Sequence, residues 1–258
     1  MKFENLKERM EYFKKLCDYR LAPNSYVLAH IDGRAFSHMV KKKFKLPFDD
    51  TFINMMNETA IYICKNVQGC KIAYTQSDEI SLLLTDYDEL ETQAWFDKNL
   101  QKIVSISASL ATLYFNKSFK DLSEEWWKSD NHLARYISDE DSKYFETLCN
   151  RQFTATFDSR AFCLPKEEVA NYYIWRQKDA TRNSINSLAQ ANFSHKSLQG
   201  LNVNQVQDKL VNEKGINWND QLTEFKRGIC CIKTEEGWKI DKEIPVFTED
   251  RNYIERFI

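Results

Sequence analysis

The order in which two hydrophobic periodicities alternate between residues 25 and 165 limits the fold more than any other feature. SYVLAHID (Ser25 to Asp32) is an apolar run stopped by Gly33 and reads as a buried strand. TFINMMNETAIYICKNV (Thr51 to Val67) repeats apolar residues every three or four positions, the spacing of a helix face. Two short strands follow, CKIAYTQ (Cys70 to Gln76) and EISLLLTDY (Glu79 to Tyr87), joined tightly around Ser77-Asp78. A long helix is expected from Glu91 to Tyr114, where Ser105, Ser107, Ala108 and Ser109 permit close packing. TATFDSRAFCLP (Thr154 to Pro165) is the fourth strand. The order β-α-β-β-α-β predicts an α+β chain of the ferredoxin-like, split-βαβ kind.

Outside that unit, Phe3, Leu6, Met10, Phe13 and Leu16 mark a helix over Lys2 to Cys17. A polar stretch containing Trp126 and Trp127 interrupts the unit at about 116–150 and reads as an insertion with helical pieces. From Lys166 the pattern is helical, and GICCIKT and WKIDKEIPVF close the chain as a small hairpin. The division expected is a catalytic core over 1–165 and a helical extension with its hairpin over 166–258. A net charge of −2 supplies no global basic surface, so any nucleic-acid site is local. The seven cysteines are odd in number and form no CxxC pair, which disfavours a disulfide framework and structural zinc. No apolar run approaches the ~18 residues that span a bilayer. The charged, helical N-terminus is unlike a signal peptide. A cytoplasmic protein without a membrane partner is the expectation.

In such a sheet the first and third strands are central neighbours. Antiparallel pairing would bring Asp32, ending the first, and Asp78, opening the third, to one edge, about 5–6 Å apart at Cα. Mg²⁺ takes hard oxygen ligands and keeps substrate phosphates in its shell. Two such ions ~3.5–4 Å apart can activate an attacking oxygen and neutralise a leaving pyrophosphate. Asp32, Asp78 and the Gly33 carbonyl are sufficient protein ligands for this. Gly33, lacking a side chain, would let a triphosphate approach the backbone. Taken singly, Asp-Gly at a strand end and Ser-Asp-Glu in a hairpin are also ordinary turn sequences.

Four ordered blocks, IDGRAF (Ile31 to Phe36), TQSDEISLLL (Thr75 to Leu84), FDSRAFCLP (Phe157 to Pro165) and YYIWRQKDA (Tyr172 to Ala180), resemble the signature blocks of the tRNA-His guanylyltransferase family. GINWNDQLTEFKRGICCIK (Gly215 to Lys233) is similar to that family's C-terminal segment. The resemblance implies a polymerase- and cyclase-type palm that extends tRNA at its 5′ end, in the 3′-to-5′ direction. A 5′-monophosphorylated end is activated with ATP or GTP, and the 3′-hydroxyl of an incoming nucleotide then attacks it. It implies two or more Mg²⁺, held by Asp32, Asp78 and the Gly33 carbonyl, with Glu79 supporting the site. It implies nucleotide binding by Gly33, Arg34, Ala35, Phe36, Ser37, Lys45, Asp49, Ser77 and Lys102, and assembly as a homotetramer. For Lys102 a solvated helix face is the competing reading, and for Phe36 a core aromatic.

The sequence departs from the family in three places. The block HINNLYN of members specific for tRNA-His corresponds here to TRNSINS (Thr181 to Ser187), which keeps only Asn183 in place. The chain therefore looks like the bacterial and archaeal guanylyltransferase-like proteins, which repair 5′-truncated tRNAs by templated addition. Leu46 stands where the family has a phosphate lysine before the Pro, leaving Lys45 to substitute. The run Lys41, Lys42, Lys43 and Lys45 reads as an RNA-backbone patch, a triphosphate contact or a solvated loop. The third departure is the insertion. RNA contact is assigned to Arg176, Gln177, Lys178, Arg182 and Asn183, with Trp175 beside them; the alternative packs Tyr172, Trp175 and Ile185 inward. A nucleotide cyclase-like enzyme and a catalytically silent RNA-binding relative are the competing functions.

Overall fold

The computed structural model describes residues 2–89, 91–128, 143 and 154–258. Six strands form one sheet in the order β4-β1-β3-β2-β5-β6, every pairing antiparallel. They are β1 (Tyr26–Gly33), β2 (Cys70–Gln76), β3 (Glu79–Leu84), β4 (Phe157–Leu164), β5 (Ile229–Thr234) and β6 (Gly237–Asp241). Around it lie α1 (Leu6–Lys15), α2 (Phe36–Lys43), α3 (Asp50–Asn66), α4 (Leu100–Lys128), α5 (Lys166–Asn192), α6 (His195–Leu198), α7 (Val203–Lys214), α8 (Thr223–Arg227) and α9 (Asn252–Glu255).

Side chains alternate across a strand, and β1 uses both faces. Val27, Ala29 and Ile31 are buried with Leu82 of β3, Met56 and Ile63 of α3, and Ala111 and Phe115 of α4. Tyr26 and Leu28 are buried with Leu83 and with Val169, Ala170 and Tyr173 of α5. The sheet is thus covered on both sides, by α3 and α4 on one face and by α5 on the other. Ile185 and Leu188, toward the end of α5, pack on Val206 and Leu210 of α7.

Several expectations change. The long helix begins at Leu100, after a 3₁₀ turn at Trp95–Lys98, and continues to Lys128. The start of the presumed insertion is therefore more of α4; the rest of 116–150, apart from residue 143, and the side chains of Trp126 and Trp127 lie outside the described residues. The closing hairpin does not stand alone, because β5 pairs with β2 over Ile72↔Ile232 to Thr75↔Ile229 and widens the sheet.

Candidate active site

Acidic side chains gather where β1, β3 and β4 meet at one end. Asp32 is paired with Glu79 of β3 on one side and with Asp158 of β4 on the other. Directly opposed residues project from the same face, so Asp32, Glu79 and Asp158 form a row on the face covered by α5. Asp78 completes the group from the two-residue β2–β3 turn. Ser77 there has φ 52°, the left-handed backbone that tight hairpins use at their first central position. The Gly33 N–H donates to the Asp78 carbonyl at 3.1 Å, tying the end of β1 to that turn. The Ser77 hydroxyl donates to Asp78 Oδ1 at 3.0 Å.

Crowded carboxylates disfavour one another's charge. Burial, and after it the neighbouring Asp32, pushes the Asp78 carboxyl up from 3.8 to about 6. Burial and then Asp158 raise Asp32. Glu79 is raised by burial against the opposing pull of Arg176, whose guanidinium bonds it from α5. Deeper on the same face, the His30 ring lies 3.2 Å from Ser81 Oγ, which is 2.9 Å from the Tyr172 hydroxyl. Burial, then Arg176 and Arg160, lowers His30 to about 4, so the ring is neutral at pH 7. Carboxylates held this way favour any cation that restores their ionised form. Among the described residues, no three or more His, Cys, Asp or Glu side chains are grouped to hold a metal ion. The donors suited to a hard divalent ion are the Asp32 and Asp78 carboxylates, supplemented by backbone and substrate oxygens.

Beside the row opens a cavity of about 680 Å³, a size that admits a nucleotide. Asp32, Gly33, Ser77, Asp78 and Glu79 line one end; Ala35, Phe36, Ser37, Lys45 and Asp49 line a wall; Asn183, Ser184 and Ser187 of α5 close the other side. Lys45 is thus at the cavity although Leu46 occupies the position before the Pro. The side chains of Lys41, Lys42 and Lys43 lie outside the described residues. Asp49 caps α3 through the Phe52 N–H at 2.9 Å and also accepts the Lys45 N–H at 2.7 Å. Ala35, with φ 58°, turns the chain into α2, whose first turn has no side-chain cap. The bare Cα of Gly33 has a second cause besides substrate approach. A Cβ there would sit 2.5 Å from the Phe36 ring, and Phe36 is fixed at 1% exposure among Phe52, Phe115 and Phe157. Phe36 is therefore a core aromatic that borders the cavity.

Other sequence-assigned residues lie elsewhere. Lys102 is not at the cavity. α4 starts beside residues 19–22, with Leu100 N donating to the Tyr19 carbonyl and Leu21 N to that of Lys98, so its first turn lies at the end of the sheet where β1 begins. There Lys102 is exposed, near the Phe96 ring. Arg34 is exposed and outside the cavity lining, its N–H bonded to Thr156 O at 2.9 Å. Arg176 and Gln177 are buried rather than presented to a ligand. Arg176 pairs with Glu79 and, at 3.2 Å, with Asp179. The Gln177 amide receives the Phe247 N–H at 2.8 Å and donates to Pro245 O at 2.9 Å, pinning the C-terminal segment. Lys178 and Arg182 are exposed, and Asn183 faces the cavity. Sequence patterns alone miss Asp158, which the β1–β4 register sets beside Asp32, as it sets Arg160 beside His30.

Residues 7–165 match the tRNAHis guanylyltransferase family. The chain belongs to that family. It is accordingly a nucleotidyltransferase. A solved bacterial tRNA(His) guanylyltransferase-like protein in complex with ATP is 43% identical, with a TM-score of 0.84 and coverage of 98% of this chain and 99% of that one. A second, in complex with GTP, is 39% identical with a TM-score of 0.77, each chain covered to 98%. The tRNA(His) guanylyltransferase of Debaryomyces hansenii is 25% identical over 256 residues, covering 92% of this chain and 86% of its own. No described helix is long and apolar enough to cross a membrane.

Proposed function

We propose that this family member adds nucleotides to the 5′ end of tRNA by templated 3′-to-5′ polymerisation, repairing 5′-truncated tRNAs, with G addition to tRNA-His as a second outcome. The β1–β4 unit, in strand order 4-1-3-2, is read as a ferredoxin-like palm, and the carrying observation is the meeting of Asp32 and Asp78 at one end of it beside a nucleotide-sized cavity. Mg²⁺, when bound, would neutralise phosphate charge and activate the attacking oxygen; Asp32, Asp78 and the Gly33 carbonyl would hold it. Ser77 orients the Asp78 carboxylate, and Arg176 steadies Glu79 behind it. The uncapped amides of Phe36 and Ser37 at the start of α2 suit a triphosphate, as does the Lys45 ammonium. The RNA 5′-phosphate attacks the α-phosphorus of ATP or GTP and releases pyrophosphate, and the 3′-hydroxyl of the incoming nucleotide then attacks the RNA 5′-phosphorus and displaces the nucleoside monophosphate. Base pairing to the template selects the nucleotide, which agrees with the loss of the tRNA-His block at Thr181 to Ser187. A homotetramer acting in the cytoplasm belongs to the same proposal.

The test is incubation with Mg²⁺, ATP, labelled GTP and a tRNA lacking its 5′ nucleotide. Label should enter the RNA only opposite a complementary base. Cyclic nucleotide without RNA labelling would make the protein a cyclase, and no product at all a silent binder. Asp32→Ala and Asp78→Ala should each reduce addition by about 10²–10³-fold or more, with circular dichroism and tRNA binding preserved. Addition at a near-normal rate in either variant removes the metal assignment.

A further inference from the structure

α5 carries two different stripes. Asn183, Ser184, Ser187 and Gln190 face the cavity, whereas Trp175, Lys178 and Arg182, spaced i, i+3 and i+7, share an outer side and are all exposed. Trp175 is 59% exposed, anomalous for a side chain of its size in the middle of a helix whose neighbours Tyr172 and Tyr173 are buried. Its ring is held in place. The Arg176 guanidinium lies 4.6 Å from the ring centroid, and Tyr172 meets it edge-on at 5.9 Å. Tyr172 in turn packs on Phe162 of β4 at 5.8 Å, which sets Trp175 on the β4 side of α5. That same strand presents Arg160 and Asp158, both exposed, in register with His30 and Asp32. Neither Trp175 nor any β4 residue lines the nucleotide cavity.

An in-line displacement requires the two reacting partners on opposite sides of the phosphorus. With the triphosphate on the α2 and hairpin side of Asp32, the other partner must come from the β4 side. We infer that Trp175 is a stacking platform for the terminal base pair of the RNA 5′ end, flanked by Arg160, Lys178 and Arg182 as phosphate contacts. The inference rests on the proposed function and adds how the substrate's end is placed. Arg176 links the platform to the chemistry, since one guanidinium both underlies the Trp175 ring and bonds Glu79 in the carboxylate row. A base stacked on the outer ring face is thereby set at a fixed offset from Asp32. Stacking accepts any base, as repair of varied ends requires.

The test uses a 5′-monophosphorylated acceptor-stem hairpin with a recessed 5′ end and 2-aminopurine in its terminal pair. Wild type should quench the fluorophore on binding. Trp175→Ala should lose most of the quench, bind about tenfold more weakly and raise KM for RNA while leaving affinity for ATP unchanged. Trp175→Phe should restore much of both, and a closed dumbbell RNA without ends should bind the same with or without the ring. Equal quench and affinity in Trp175→Ala overturns the platform. If wild type extends RNA yet the signal ignores Trp175, only the platform fails; if wild type neither binds nor extends RNA, the functional reading fails with it.

Discussion

β1 serves two unlike surfaces with the same eight residues. Toward α3 and α4 it sends Val27, Ala29 and Ile31 into an aromatic and aliphatic core. Toward α5 it sends Tyr26, Leu28, His30 and Asp32, which become more polar toward the end where the carboxylates meet. The first surface has only packing to satisfy, and the second must hold charges that burial disfavours. Core contacts hold β1 from one face, while on the other Asp32 lies among Glu79, Asp158 and Asp78. The two surfaces should therefore fail differently when altered.

Phe115 tests the packing side. It is fully buried on α4, meeting Phe36 at 5.3 Å and Phe157 at 5.6 Å. Phe115→Ala should cost about 3–5 kcal/mol of stability, the usual range for deleting a core aromatic, read by denaturant unfolding. Protein that remains folded should keep most of its nucleotide addition. Loss of activity without loss of stability would erase the distinction between the two surfaces.

Arg176 tests the polar side. Replacing it by Met keeps the apolar stem but leaves Glu79 without its cation. Addition should fall about 10–100-fold, as when a group supporting a metal site is removed, with unfolding changed less than in Phe115→Ala. Arg176 opposes the upward shift of the Glu79 carboxyl, so the acid limb of the pH–rate profile should move to higher pH. Arg176→Lys should recover part of the rate. An unmoved acid limb would reduce Arg176 to a packing role.

The contrast also separates what could be read in the sequence from what could not. β1 and β3 become neighbours through the split-βαβ order alone, so the pairing of Asp32 beside the Ser77-Asp78 turn was legible before any coordinates. The burial of β1 was legible too, because Tyr26 to Ala29 are apolar on both faces. Local patterns do not encode which distant surface meets a polar side chain. Arg176 and Gln177 read as RNA contacts until α5 is laid on the sheet, where one pairs with Glu79 and the other pins Pro245 and Phe247. Lys102 reads equally as a phosphate contact or a solvated helix face, because its distance from Asp32 depends on which end of the sheet α4 begins. The edge partner of β5 is a long-range choice, since a hairpin pattern is the same alone or paired with β2. Trp175 is ambiguous for a similar reason: one aromatic on a helix suits core and surface alike.

Asp78 provides the finest test. With its folded carboxyl at about 6 against an ordinary 3.8, the protonated form is favoured by folding in metal-free protein. That contribution is complete below about pH 4, where folded and unfolded chains both hold the proton. It is lost as pH rises through 6, where the folded protein must ionise a buried Asp78 beside Asp32. Asp78→Asn carries no such charge. In chelator, its melting temperature relative to wild type should therefore climb between pH 4 and 6 and level off above. The plateau should be about 1–2 kcal/mol, after allowing for residual hydration and coupling to Asp32, which is a few degrees for a chain of this size. Adding Mg²⁺ at pH 7.5 should stabilise wild type by mass action and leave Asp78→Asn nearly unmoved. A melting difference that ignores pH would mean that neither burial nor Asp32 disfavours the Asp78 charge, and a divalent ion would have no such penalty to relieve on the polar surface.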